Sequence, residues 1–535
     1  MATKKVYSNT IAQIAGKIAT ALISIFLIKI LTNYLDVAGY GLYSKIYNYL
    51  SIFSVIADLG LYTITVREIS AHKNDHEKVQ SIVGNILTLR TFFGGAIIFL
   101  SLAIGFFLPG YDSGIAMAGI LITGVFTLFG LMNSSVMSLL QAHLKTEFSF
   151  VSITTGKVIN FLAVLLIVFV LLPKGLMSSD PTLQFWGFVS ILLAGLLGNI
   201  VMTGLLYFYA RRIEPIRFRF DPVYMKHILW ISLPYGIALF LNVIYFKVDI
   251  ILLSILEPRT VADISIALYS VPMKIVEVGM MFGTLFLNSM LPLFTEAIKK
   301  NQENKKPPVS PLSGGQNKIT SITPLIRGDE GGFENPELLS YVAKAYKILL
   351  IFGVGIASFL FVNDANVISF IATKEYIEHT KYLYTSLDAM QIVVFIFLFY
   401  FLSSLFTYLL IAHDEQKKLL RINLIITIAN LVGNLVLIPF YSFVGSAWVT
   451  LVCQILLLAF TYRATRHLVH FDFLPSFTLS TLLFALIASM VNWYILSILH
   501  TGIFVSLIIC TVVFSVIYLG SIGIIWFLSK RKLPE

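Results

Sequence analysis

Charge is scarce in this 535-residue chain: Asp, Glu, Lys and Arg together make up 12% of it, about half the share of a soluble domain. Cysteine is scarcer still. Only Cys453 and Cys510 occur, both inside apolar runs, which rules out a disulfide scaffold. What is abundant is apolar, with 57% hydrophobic residues and a mean hydropathy of +0.86. Length alone would suggest three or four soluble domains of roughly 150 residues. Apolar runs of about 20 residues recur almost end to end and exclude that reading. The excess of 38 Lys and Arg over 28 Asp and Glu can point to nucleic acid. In a membrane chain the position of positive charge matters more than its total, and no nucleic-acid partner is expected.

About fourteen spans fit the apolar runs. They fall near 9–33, 39–62, 81–108, 114–140, 148–172, 185–209, 228–256, 264–297, 343–371, 385–412, 420–439, 443–465, 475–499 and 503–529. The basic start, Met1 to Lys5, lacks a small-residue cleavage site, so an uncleaved first helix is expected. The loops alternate in charge. One side, with both termini, holds 25 basic residues, among them Arg67, Lys145, Arg211, Arg219, Lys417 and Arg463. The other holds four: Lys174, Arg259, Lys374 and Lys381. By the positive-inside rule the basic side is cytoplasmic, which places a multi-pass protein in the cell membrane with both termini inside.

Residues 298–339 are polar, without apolar periodicity, and are expected to form a disordered cytoplasmic loop. Two motif matches within it are chance. Leu312-Ser313-Gly314-Gly315-Gln316 spells an ABC ATPase signature, yet no phosphate-cradling loop precedes it. Arg327-Gly328-Asp329 spells an adhesion tripeptide on the wrong side of the membrane. The stretch His72 to Glu77 lacks metal-ligand spacing and reads as a solvated loop, and no metal is expected.

Two matches indicate an internal duplication. Gly41-Leu42-Tyr43-Ser44, at the start of the second span, recurs as Ala267-Leu268-Tyr269-Ser270 at the start of the eighth. Leu139-Leu140-Gln141-Ala142-His143, at the end of the fourth span, recurs as Leu409-Leu410-Ile411-Ala412-His413 at the end of the tenth, with Asn160 opposite Asn430. The second pair is spaced more widely than the first, and the polar insertion accounts for most of the difference. Six spans per repeat give both halves the same orientation, with a substrate site expected between them. The expected units are an N-terminal lobe (1–212), a linker (213–227), a C-terminal lobe (228–468) and two appended helices (469–535).

Seven basic residues within the predicted spans stand out, since a basic side chain costs at least about 2.5–3.5 kcal/mol at mid-membrane. Lys29 lies near a span end and fits snorkelling of its ammonium to the interface. Lys45 fits either snorkelling or a wet cavity. Lys17, Arg90, Lys157, Lys247 and Lys274 lie deeper and are candidate cavity residues. Asp58, Asp249 and Glu277 are the clearest intramembrane acids. Glu277 lies three residues after Lys274, on the same helix face. Excess positive charge between low-dielectric walls attracts an anion. Pro234, Pro272 and Pro292 fit either hinges or ordinary packing variation.

Leu35-Asp36-Val37-Ala38-Gly39-Tyr40-Gly41-Leu42-Tyr43 resembles the first interhelical turn of polysaccharide flippases, with Asp36 where a glycine is common. Asp58-Leu59-Gly60-Leu61, Val66-Arg67-Glu68-Ile69, Tyr245-Phe246-Lys247-Val248-Asp249, Leu291-Pro292 and Ile438-Pro439 with Gly445-Ser446-Ala447 are similar to patterns of the same family. These are the Wzx-type O-antigen flippases of the multidrug/oligosaccharidyl-lipid/polysaccharide exporter superfamily. The resemblance covers residues 5–470. It implies an all-α polytopic membrane protein, two six-helix lobes in a V of MATE type plus two C-terminal helices, and alternating access. It also implies translocation of a polyprenyl-diphosphate-linked oligosaccharide. Lys17, Lys45, Arg90, Lys157, Lys247 and Lys274 would then be substrate-binding cations. Asp58, Asp249 or Glu277 would couple transport to H⁺ or Na⁺, and no other cofactor is expected. The partners would be membrane lipids and the polymerase and glycosyltransferases of glycan synthesis, with the chain itself a monomer. A cation-coupled multidrug antiporter and a lipid II flippase are the alternatives. An enzyme is not expected, because the loops on the sparsely charged side are too short to hold catalytic machinery.

Overall fold

The computed structural model describes residues 2–177, 180–304, 336–469, 471, 473–499 and 501–531. In chain order the helices are α1 (Ala2–Tyr34), α2 (Val37–Asp58), α3 (Leu61–Ala71), α4 (His76–Phe107), α5 (Gly114–Ala142) and α6 (Thr146–Leu166). They continue with α7 (Lys174–Met177), α8 (Pro181–Ala210), α9 (Pro222–Leu256), α10 (Arg259–Asn304), α11 (Pro336–Val362) and α12 (Asp364–Ile371). The last are α13 (Ser386–Val393), α14 (Ile396–Ala412), α15 (Gln416–Thr465), α16 (Pro475–Ile498) and α17 (Ile503–Arg531). No strand occurs among the described residues.

Local chemistry sets the helix starts. Asp36, Asp75, Ser113, Asp180 and Asp221 each accept a main-chain N–H of the helix that follows. Pro181 and Pro222 then occupy the first helical position, where a missing N–H costs nothing. The predicted second span is broken at Leu59 (φ 44°) and Gly60 (φ 72°), two left-handed residues that end α2 and launch α3. Gly60 adopts that conformation without strain.

Twelve helical segments among the described residues are long and apolar enough to cross a membrane. One of them, α15, has 50 residues and would be about 75 Å long if straight, far beyond a bilayer core of about 30 Å. Ser442 breaks it with φ 53° and ψ −142°. Beyond the break the chain doubles back: a Cβ on Gly433 would lie 3.0 Å from Val449, on the far side of Ser442. The predicted pair 420–439 and 443–465 is therefore a hairpin inside α15. With that division and the apolar stretch Ala19–Tyr34 of α1, the crossings match the fourteen runs of the sequence.

The predicted loop 298–339 is shorter at both ends, since α10 continues to Asn304 and α11 starts at Pro336. Burial of Ala297, Ile298 and Leu338 and the contacts of Lys300 with Glu296 (3.0 Å) and Glu337 (3.7 Å) extend the two helices. Residues 305–335, with both motif matches, lie outside the described residues. In the His72 to Glu77 stretch, Asp75 caps α4 and His76 pairs with Glu214, which pins the 211–221 linker to α4.

The duplication is visible in three dimensions. Among the N-terminal helices α4 packs on α5, α5 on α8 and α6 on α8; among the C-terminal helices α11 packs on α14, and α14 on α15. His143 and His413 turn Nδ1 back to the carbonyls of Leu139 and Leu409, and the next residues, Leu144 and Asp414, are both left-handed. The halves meet along α2 and α10, where Ser44 donates to Ser270 at 2.7 Å. Matching positions in contact mark the pseudo-twofold axis. Gly41 allows this approach, because a Cβ there would run into the main-chain oxygen of Asp263. The helices α16 and α17 pack on each other and, through α16, on α11.

Arg90 departs from the sequence expectation of a cavity cation. It is fully buried on α4 and pairs with Asp58, with further bonds to Ser134, Ser135 and the Leu131 carbonyl (3.3 Å). The expectation missed that Asp58, at the end of α2, and the α5 serines supply a set of acceptors. Arg90 ties α2, α4 and α5 together.

Two stability outcomes follow, both read by thermal unfolding in detergent micelles. Gly41→Ala should cost about 1–3 kcal/mol by overpacking the seam, whereas Gly95→Ala, which meets open space, should cost nothing. Arg90→Ala should cost about 3 kcal/mol or more by stranding Asp58, and adding Asp58→Ala should restore much of the loss.

Candidate functional site

Three sets of contacts close the two halves against each other at the face opposite the termini. Lys45, 2% exposed on α2, pairs with Asp263 of α10 and donates to the Gly110 carbonyl at 2.7 Å. Arg259 meets Asp112 at 3.1 Å, and Ser254 on α9 bonds the Tyr111 hydroxyl at 3.2 Å. Thr32 of α1 donates to the Ile371 carbonyl at 2.6 Å, while the Lys29 ammonium sits 3.8 Å over the Phe370 ring. Lys45 and Lys29 thus close a seam instead of lining a cavity. Their charges are satisfied by an acid, a carbonyl and aromatic faces.

Deeper, a cavity of about 400 Å³ opens beside α9 and α10, lined by Phe246, Lys247, Glu277, Met281, Thr284 and Tyr400 among others. Its chemistry is set by one carboxylate between two ammonium groups. Lys247 of α9 donates to Glu277 Oε1, and Lys274 of α10 donates to Oε2 at 2.7 Å. Lys157 of α6 lies within electrostatic reach of Lys274, and its ammonium donates to the Ser24 hydroxyl at 3.1 Å. Two cations therefore share a single anion with a third within reach of one of them, and the four side chains together carry three bases against one acid. None of the central three is sealed off: Lys247, Glu277 and Lys274 keep 18%, 31% and 35% of their side-chain surface. Tyr40 of α2 lies within electrostatic reach of Glu277 and heads a ladder of Tyr40, Tyr43 and Tyr47, with ring centroids 6.1 and 4.6 Å apart.

Asp249 lies two residues from Lys247 and faces away from this cavity. It is 1% exposed, accepts from the Tyr269 hydroxyl at 2.6 Å and from its neighbour's N–H (Ile250) at 2.8 Å. Thr450 stands 3.4 Å from the same hydroxyl, and Tyr245, Gln454 and Ser403 continue the chain of hydrogen bonds. The two acids of this half therefore occupy different environments, one in the cavity and one in a closed polar network. Asp58 belongs to the Arg90 strut. Lys17 belongs to α1, with its side chain outside the described residues.

Of the residues that the sequence singled out, the fold brings Lys157, Lys247, Lys274 and Glu277 together, and it sends Lys45 to the seam and Arg90 to the strut. Sequence reasoning missed Asp263, which lies at the start of a helix and drew no notice beside Arg259. It also missed the polar face of α15, although Ser446, Thr450 and Gln454 recur every four residues in an otherwise apolar run, a readable helical stripe.

The family model for polysaccharide biosynthesis proteins matches residues 6–298, more than half of the chain. No curated protein matches it in sequence. Among solved structures, the lipid II flippase MurJ in an inward closed conformation aligns over 97% of this chain and 99% of its own, with a TM-score of 0.71 at 14% identity. An inward-facing multidrug resistance MATE family transporter of the MOP superfamily aligns over 85% of this chain and 98% of its own, with a TM-score of 0.65 at 13% identity. A MOP superfamily transporter from Pyrococcus furiosus aligns over 86% and 96%, with a TM-score of 0.56 at 12% identity. At such identities the likeness speaks for the fold, and the family match carries the assignment: this chain belongs to the polysaccharide biosynthesis protein family.

Proposed function

We propose that the chain is a flippase that carries a polyprenyl-diphosphate-linked oligosaccharide from the cytoplasmic to the outer leaflet. One observation carries this reading: Lys247 and Lys274 share the single carboxylate of Glu277 beside a partly open cavity, with Lys157 within electrostatic reach of Lys274. A diphosphate is the anion that such a group suits, since two ammonium groups can each take an oxygen. The polyprenyl tail stays in lipid. The excess of basic residues in the loops on the side of the termini supports a cytoplasmic position for that side and hence the direction of transport.

Glu277 has a definite part in the proposed cycle. Its two oxygens hold Lys247 and Lys274 while no substrate is bound, as an internal stand-in for it. An arriving diphosphate takes over the lysines, and the returning carboxylate helps to expel it. Release on the far side requires the Lys45–Asp263 and Arg259–Asp112 contacts to part. Asp249, buried among hydroxyls, is the candidate for H⁺ or Na⁺ coupling, with Glu277 and Asp58 committed to basic partners. That same acid supports the second reading, a cation-coupled drug antiporter, in which Asp249 would be essential and the lysines dispensable. Membrane lipids are the immediate surroundings of the chain, and the enzymes that build and polymerise the glycan are its proposed functional partners. No enzymatic step is proposed.

The two readings separate in proteoliposomes that hold the full chain and fluorescent farnesyl-diphosphate-linked N-acetylglucosamine. Lys247→Ala and Lys274→Ala should each slow flipping about tenfold to a hundredfold, the loss of one charge-assisted hydrogen bond. Glu277→Gln should bind farnesyl diphosphate more tightly than the native chain while flipping more slowly. Full flipping by the Lys247→Ala/Lys274→Ala double variant sinks the proposal.

A further inference from the structure

A second cavity of about 450 Å³ lies nearer the basic face and shares no lining residue with the first. Both halves of the chain contribute to it: Thr20 of α1, Tyr62 of α3, Gln141 of α5, Ser149 and Phe150 of α6, and Asn288 of α10. Tyr62 and Asn288 stand at the same offset along the chain as Ser44 and Ser270, so both repeats face this cavity from matching stretches of the sequence. Every described lining residue is uncharged.

Two helices lead from this cavity to the lysine cluster. On α6, Ser149, Ile153 and Lys157 follow at intervals of four, and eight residues of helix span about 12 Å. On α10, Glu277, Met281, Thr284 and Asn288 recur at intervals of four, three and four, again on one face. The first three line the cavity of the cationic group, and Asn288 lines the second one. A ligand with its anionic end at Lys157, Lys247 and Lys274 therefore extends along these faces toward the basic side and reaches the second cavity, about two helical turns away along α6 and about three along α10.

The lining selects the chemistry of what lies there. Tyr62 donates its hydroxyl hydrogen to Gln141 Oε1, and Tyr408 donates to Asn288 Oδ1 at 2.7 Å. With both carbonyls occupied, the NH₂ groups of Gln141 and Asn288 are left as donors without a partner among the described residues. Phe150 offers a ring packed against Gly16, whose Cβ would collide with it. Amide donors beside hydroxyls and a fixed aromatic face suit the hydroxyl and acetamido oxygens and the apolar C–H face of a sugar ring. A phosphate or a sugar carboxylate finds no cation among these residues, and an acyl chain leaves both amide donors unpaired.

We propose that this cavity is a sugar subsite that takes an uncharged, hydroxyl- or acetamido-bearing sugar close to the diphosphate end of the carried glycan. The subsite rests on the flippase reading for its position relative to the phosphate and adds the class of sugar. Gln141 and Asn288 are the residues that select it.

The test uses the purified full chain in lipid nanodiscs and three probes: farnesyl diphosphate, the same lipid carrying N,N′-diacetylchitobiose, and the same lipid carrying a disaccharide that ends in glucuronic acid. The neutral disaccharide should tighten binding at least about tenfold over farnesyl diphosphate, the worth of one or two hydrogen bonds. The glucuronic acid lipid should gain less. In Gln141→Ala/Asn288→Ala the tenfold gain should vanish while the affinity for farnesyl diphosphate stays within about twofold of native. A second readout avoids those substitutions: in Ile153→Cys, saturating free N,N′-diacetylchitobiose should slow maleimide labelling of the new thiol. An equal affinity for sugar-bearing and sugar-free lipid, an equal or greater gain with glucuronic acid, or unchanged labelling overturns the subsite. Failure of farnesyl diphosphate to bind at all overturns the flippase reading instead, and protection of the Ile153→Cys thiol by the free disaccharide then decides the subsite on its own.

Discussion

A charged side chain held in hydrocarbon must find an opposite charge or water, and the fold is arranged around the ways in which its intramembrane charges do so. Arg90 takes Asp58 and two serines and becomes a strut within the N-terminal half. Lys45 takes Asp263 across the seam and joins the halves. Lys247 and Lys274 share one acid, and Lys157 has a hydroxyl for its partner. The first two arrangements are neutral, one cation matched to one acid. Of these three only the third leaves positive charge over, and its Lys247 and Glu277 line the first cavity. Surplus charge persists where a further anion can enter, which is why the cluster and not the strut or the seam is the candidate site.

The seam imposes a second constraint. Without a hydrophobic force between helices in lipid, association depends on close packing and on polar contacts across the interface. Gly41 on α2 lets the backbone of α10 approach, and Ser44 and Ser270 share a hydrogen bond at the axis. On the side of the basic loops, Gly236 of α9 sits against the main chain of Leu59, where α2 gives way to α3. Small residues at both ends of the interface let the main chains of the two halves approach closely. The stronger contacts, the ion pairs of Lys45 and Arg259, lie at one face only.

The approximate number of crossings, the duplication and the Lys274–Glu277 pair were legible in the sequence, and each for a physical reason. Apolar length is written directly in composition, and Leu-Leu-Gln-Ala-His repeated as Leu-Leu-Ile-Ala-His because both segments end a helix in the same turn. Lys274 and Glu277 were readable as a pair because three residues place them on one face. What was not legible is which long-range partner a charge finds. Arg90 and Lys157 look alike along the chain, each deep in an apolar run. They differ only because Asp58, at the end of α2, reaches the first, whereas the second bonds a hydroxyl. Lys45 drew its partner from the opposite half of the chain, at the start of α10. Helix faces can be inferred from spacing, but the packing of one helix on another decides which faces meet.

The two repeats share a backbone and differ in their charges, and that difference locates the function. At the offset fixed by Ser44 and Ser270, Lys274 and Glu277 correspond to Asn48 and Ser51. Asn48 donates to the Ser44 carbonyl at 2.7 Å and Ser51 to the Asn48 carbonyl at 2.6 Å, so both are satisfied within their own helix. Their counterparts on α10 reach outward, to each other and to Lys247 on α9. The duplicated frame needs both helices alike for the halves to pack about one axis. The site needs them unlike, because a second lysine and glutamate pair across the axis would add no net charge and would offer the cavity lysines another carboxylate in competition with an entering anion. Polar neutrality on α2 and net positive charge on α9 and α10 resolve that conflict. A symmetric shell thereby holds an asymmetric cavity, with the uncharged Tyr40 of α2 within electrostatic reach of Glu277.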